Sequence, residues 1–174
     1  MTAKNPKNPQ KMNIDRTVKL YLKKTERGLS AAEQSEAAWK ILKDFGIDGE
    51  IKKNDFGKPY IENSPIKFNI SHTDGAVAVA LSDSEVGVDI QRTDIRKISD
   101  RVMRRFFGDI FPDDANERIR LWTELESRGK WLSCGIPIVY PDRPHRFFSY
   151  EFNGCMLSVC TDTEHDKIEI TVLD

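Results

Sequence analysis

The chain has 174 residues, 39% of them hydrophobic and 32% charged, with a formal charge of −1 at pH 7. That length supports one domain, or two small lobes on a shared core. The charge balance excludes the global basic field of a nucleic-acid binder, and no apolar run is long enough to span a membrane.

Residues 1–13 are polar, carry Pro and Asn, and lack the apolar stretch of a signal peptide. They read as a disordered tail, and the expected location is the cytoplasm. Cys134, Cys155 and Cys160 match no zinc spacing and no CxxC. They read as buried free thiols in a reducing compartment.

Val18–Leu22 alternates and predicts a first strand. Ser30, followed by Glu33, predicts a capping box opening a helix with Ala37, Ala38, Ile41, Leu42 and Phe45 inward, ending near Gly46. Glu50–Lys53 reads as a short strand and Asp55–Pro59 as a turn. Lys67–Ser71 and Ala76–Leu81 read as strands joined by the Asp74-Gly75 turn. The second is apolar on both faces, which predicts a central place in a sheet. Val86–Gln91 is the next strand, with Val86, Val88 and Ile90 on one face and Asp89 and Gln91 on the other.

Residues 95–107 predict a basic amphipathic helix, with Arg96, Lys97, Arg101, Arg104 and Arg105 opposite Ile98, Val102, Met103 and Phe106. A further helix is expected from about Ala115 to Trp131. Phe147–Phe152, Cys155–Cys160 and Ile168–Leu173 read as strands, with Asn153-Gly154 as a hairpin turn. The halves 14–85 and 86–174 each place a helix before strands, so an N-terminal and a C-terminal lobe are expected.

Trp122, Glu126 and Lys130 lie four apart along one helix face. Taken alone, Glu126 and Lys130 fit a surface ion pair worth roughly 0–1 kcal/mol; the other reading is a functional pair. Asp89 favours the second reading. A strand-borne Asp and a helix-borne Glu can present oxygens to one hard cation, and magnesium is usually held by one or two carboxylates plus substrate phosphates. Asp89 in an apolar strand is unfavourable unless paired or metal-bound. Lys58 fits a solvated turn lysine and His72 a hydrogen-bonded structural histidine. His145 and His165 read as surface residues.

Taken in order, GKP at 57–59, NISH at 69–72, GVDIQ at 87–91 and WTELESRGK at 122–130 resemble the motifs of the 4′-phosphopantetheinyl transferases, most closely the two-lobed Sfp type. The resemblance spans about residues 55–131. It implies an α+β fold of two similar lobes, each with a helix packed on a mainly antiparallel sheet, and a cleft between them for coenzyme A. It implies transfer of the phosphopantetheine arm of coenzyme A to a serine of an apo acyl or peptidyl carrier protein, with 3′,5′-ADP leaving. The pathway served, fatty-acid, polyketide or peptide synthesis, stays open.

By the same resemblance Asp89, Gln91 and Glu126 form the magnesium site, and Glu126 takes the serine proton. Lys130 steadies phosphate charge, Ser71 and His72 lie at the coenzyme A phosphates, and Lys58 lies near the nucleotide. Lys23, Lys24 and Arg27 are the basic candidates for the 3′-phosphate. A complete site in one chain implies a monomer.

Three departures bear on activity. Gln91 stands where the family has an acid, Leu125 where it has a lysine, and Gly129 sits in the helix just before Lys130, where glycine costs about 1 kcal/mol relative to alanine. Gln91 and Leu125 keep open a relative that binds coenzyme A or a carrier without turnover. A magnesium-dependent hydrolase is a third reading. The basic helix is either a docking surface for an acidic carrier or a solvated face.

Overall fold

The computed structural model describes residues 17–47, 49–94, 97–136, 142–165 and 167–174. The expected tail at 1–13, and Arg96 of the basic helix, lie outside them. The chain order is β1 (Thr17–Lys24), α1 (Ala31–Asp44), β2 (Ile51–Lys53), β3 (Pro59–Ile61), β4 (Lys67–Thr73), β5 (Ala76–Ser82), β6 (Val86–Arg92), α2 (Asp100–Phe107), α3 (Ala115–Trp131), β7 (His145–Phe152), β8 (Cys155–Asp162) and β9 (Lys167–Leu173).

The α+β class is as expected, and the pairing is mainly antiparallel. One sheet runs β4-β5-β1-β9, a second β6-β8-β7, and β2-β3 form a separate hairpin. β5 is buried along its whole length between β4 and β1, as its two apolar faces require. The last strand, β9, returns to the first sheet and pairs in parallel with β1.

Three apolar clusters order the layers. Val18, Leu20, Ala78 and Ala80 of the first sheet meet Val88, Ile90, Leu157 and Val159 of the second. On the outer face of the first sheet, Tyr21, Val77, Val79 and Leu81 pack against Ala38, Ile41 and Leu42 of α1. A third cluster joins Met103 of α2, Ile119, Trp122 and Leu125 of α3, and Met156 of β8. Leu125 is therefore a core residue.

The local signals formed as read. Ser30 and Glu33 make both bonds of a capping box. Asn153 and Gly154 both take positive φ (50° and 71°), as a two-residue hairpin turn between β7 and β8 demands. The basic helix begins later than expected: residues 97–99 are not helical, and the Ser99 hydroxyl accepts the Val102 N–H as the N-cap. All three cysteines are free, Cys155 and Cys160 buried and Cys134 partly so. Among the described residues, no helix is long and apolar enough to cross a membrane.

The histidine expectation is corrected. His165 is buried, with Nδ1 2.7 Å from Asp162 and Nε2 2.8 Å from Asp83. His145 is half-buried, its ring 5.6 Å from that of Trp131 and 4.9 Å from that of Phe147.

Candidate active site

The site is built on an edge. β6 pairs with β8 on one side only, so alternate backbone groups point away from the sheet and need partners. Side chains supply them. Asn69 of β4 accepts the Val88 N–H at 2.8 Å, and the Ser71 hydroxyl accepts the Ile90 N–H at 3.3 Å. Lys130 donates to the Val88 carbonyl at 2.9 Å, and Lys58 to the Val86 carbonyl at 3.2 Å. Asn69 and Ser71 are two residues apart, and so are the β6 residues they cap, because both strands repeat every second residue. The other face of β4 turns to α1: Phe68 joins the cluster beneath that helix, and His72 bonds to its side chains.

Across β6, helix α3 comes down at Gly87. A Cβ there would overlap the Ser127 carbonyl oxygen and crowd the Trp131 nitrogen. This close approach sets Glu126 and Lys130 over Asp89.

Asp89 is 2% exposed and fully partnered. Oδ1 accepts from Lys130 at 2.8 Å and from Ser71 at 3.0 Å, while Oδ2 accepts from Gln91 Nε2 at 3.2 Å. The same Gln91 amide donates to Glu126 Oε2 at 3.1 Å, bridging the two carboxylates. Burial alone would raise the Asp89 pKa, but the Lys130 charge and the hydrogen bonds from Glu126, Lys130 and Gln91 hold it below the usual carboxylate value. Burial, the adjacent Asp89 charge and their shared hydrogen bond push Glu126 the other way, to about 8. At neutral pH Asp89 therefore carries the charge and Glu126 the proton.

Lys130 forms an ion pair with Asp89, across to the strand. Its three N–H groups go to Asp89, Val88 and Ser71. Lys58 is 10% exposed and paired with Glu85 at 2.6 Å. Gln34 Oε1 accepts from His72 Nδ1 at 2.9 Å, so Nε2 accepts the Ser35 hydroxyl at 3.0 Å. Burial and the nearby Lys130 charge lower the His72 pKa, which keeps this imidazole neutral at pH 7.

These groups line one cleft of about 530 Å³, which gathers Lys58, Ser71, His72, Asp89, Glu126 and Lys130. Gln91 sits behind the carboxylates, and Lys23, Lys24 and Arg27 are not part of the lining. Trp39, Phe56 and Ile136 give it apolar walls. Asn69, Ser35, Gln34 and Glu85 were missed in the sequence. Only Asn69 carried a signal there, as a polar residue two positions from Ser71 in an otherwise buried strand.

The donor set fits a hard divalent cation. Two carboxylates converge, and substrate phosphates and water would complete the shell; the Gln91 amide turns N–H donors, not its oxygen, toward them. Among the described residues, no cluster of three His, Cys, Asp or Glu forms a site without such help.

The chain is 43% identical over 97 residues to the 4′-phosphopantetheinyl transferase gsp of Aneurinibacillus migulanus, covering 51% of this chain and 40% of the relative. It is 33% identical over 103 residues to the 4′-phosphopantetheinyl transferase Sfp of Bacillus subtilis, covering 51% of this chain and 45% of the relative. Over the matched part the chain is similar to 4′-phosphopantetheinyl transferases of the Sfp type. The match spans less than half the length of either relative. No family model matches the chain.

Proposed function

We propose that this chain transfers the phosphopantetheine arm of coenzyme A to a serine of an apo carrier protein, releasing 3′,5′-ADP. The observation that carries the reading is the convergence of Lys58, Ser71, His72, Asp89, Glu126 and Lys130, drawn from four separated motifs, on one cleft. The serine oxygen attacks the pantetheine-side phosphorus, and the bond from that phosphorus to the oxygen of 3′,5′-ADP breaks. The serine proton passes, directly or through water, to Glu126, whose own proton a bound cation would first displace. Such chemistry relies on positioning and on neutralising phosphate charge.

Asp89 and Glu126 would hold magnesium with Gln91 beside them, and the ion would neutralise charge on the pyrophosphate. Ser71 and His72 would contact the phosphates, and Lys58 would lie near the nucleotide. Coenzyme A would occupy the cleft between two similar lobes, with the whole site in one chain. Arg101, Arg104 and Arg105 of α2 are exposed and would face an acidic carrier.

The test is intact mass of an apo acyl carrier protein after incubation with this protein, coenzyme A and magnesium. A gain of one phosphopantetheine arm, absent with Glu126→Ala and with EDTA, is expected. Gln91 and Leu125 favour a second reading, a protein that holds coenzyme A without turnover. Calorimetric binding of coenzyme A, with no mass gain on any of several carriers, would select it.

A further inference from the structure

Each cleft lysine of the β6 edge already holds an internal carboxylate. Lys130 is bound to Asp89, and its three N–H groups are all engaged. Lys58 differs. Two of its N–H groups go to Glu85 and to the Val86 carbonyl, which leaves the third for the cleft that Lys58 lines. Lys58 is thus the β6-edge cation with a donor to offer an incoming anion.

Glu85 sits behind it. It lies in the turn between β5 and β6, one residue before the strand, and does not line the cleft. Its carboxylate is 2.6 Å from Lys58 Nζ, with 36% of its side chain exposed against 10% for Lys58. A carboxylate at contact distance cancels much of the field that a partly buried ammonium projects, and low-dielectric surroundings magnify the effect. An anionic ligand therefore competes with Glu85 for Lys58.

We propose that Glu85 is a specificity-determining residue of the cleft: an internal counter-ion that masks Lys58, so that a ligand is retained only if it brings enough negative charge to share or displace that pair. This rests on the proposed reading for the identity of the ligand, coenzyme A, but not for the electrostatics. A ligand with several phosphate charges competes with one carboxylate, whereas a singly charged one does so weakly. Glu85 touches no reacting atom in this scheme. It acts through Lys58.

The test is calorimetric binding to the full chain of two probes, coenzyme A and inorganic pyrophosphate, with Glu85→Gln, Lys58→Gln and the double variant. Glu85→Gln is expected to bind both probes about 3- to 10-fold tighter at low salt, the gain shrinking as salt rises. Lys58→Gln is expected to weaken binding, and in its background Glu85→Gln should have little effect. Thermal melts of each variant report folding. Should Glu85→Gln fold normally and bind pyrophosphate no tighter than the parent, or should its effect persist without Lys58, the proposal fails. Should no form bind pyrophosphate, it fails as well, because Lys58 then meets no anion. Tighter pyrophosphate binding with no coenzyme A binding by any form would support the counter-ion role and sink the coenzyme A reading instead.

Discussion

Lys130 Nζ lies 2.8 Å from Asp89 Oδ1, and the same ammonium caps the Val88 carbonyl of the strand that carries Asp89. One side chain thus caps a carbonyl on the unpaired edge of β6 and balances its buried charge. Removing it leaves a carboxylate inside the protein without its cation. Lys130→Met is expected to lower the stability by about 2–3 kcal/mol, read by urea denaturation at pH 7. A loss below about 0.5 kcal/mol, the range of an exposed pair, would mean that Ser71 and Gln91 suffice for Asp89.

Gly87 is required by the approach of α3. Any side chain there meets the backbone of Ser127 and Trp131, which cannot rotate away. Gly87→Ala should destabilise by about 2–3 kcal/mol and loosen the cleft, weakening ligand binding along with the melting temperature. A native melting temperature would show that α3 can lift without loss.

Glu126 holds a proton at neutral pH because its pKa is raised to about 8. A divalent cation at the two carboxylates must displace it. Magnesium binding should therefore release close to one proton at pH 7 and weaken as pH falls below about 8. Calorimetry in buffers of different ionisation enthalpy measures this, and Glu126→Gln should abolish the release. Proton-neutral binding in the parent protein would contradict the assignment.

Gln91 bridges Asp89 and Glu126 through its amide N–H groups. Gln91→Glu replaces the donors with a third carboxyl group. It should lower the metal-free melting temperature and tighten magnesium binding by about tenfold, since ligand charge governs affinity for such ions. Melts with and without magnesium separate the two effects.

His165 ties the β5–β6 turn, through Asp83, to the end of β8, through Asp162. Burial works against its charged form, but the bonds from Asp162 and Asp83 outweigh it and raise the pKa. A folded pKa above the unfolded value means the stabilisation is fully present below about pH 6.5 and disappears as pH rises through the folded value. Asp162 shifts the opposite way: burial would raise its pKa, but His165 and Ser84 lower it, so its share is lost as pH falls through its own folded value. Melting temperatures from pH 5.5 to 9 should fall more steeply in the parent than in His165→Gln. Parallel curves would remove His165 from the account.

The sequence by itself determined the local elements and the participants at the site. The capping box at Ser30, the two hairpin turns and the period-two strands depend on neighbours a few residues away, and each formed where its signal lay. The four motifs likewise named most of the cleft, because Lys58, Ser71, His72, Asp89, Glu126 and Lys130 were legible as residue types at set spacings. Helix α2 began late because the Ser99 cap outweighed the apolar period before it.

Only the tertiary structure decided how those residues are used. Pairing of β9 with β1, the docking of α3 on Gly87 and the burial of His165 link residues tens to more than a hundred positions apart, which no local pattern specifies. The capping of β6 by Asn69, Ser71, Lys58 and Lys130 depends on the register between β4 and β6, two strands that share no direct ladder. The protonation split between Asp89 and Glu126 follows from burial and separation, which exist only once the sheet and α3 have met. Glu85 gave no sign of itself in the chain, since an acidic turn residue is ordinary until a buried lysine is found against it.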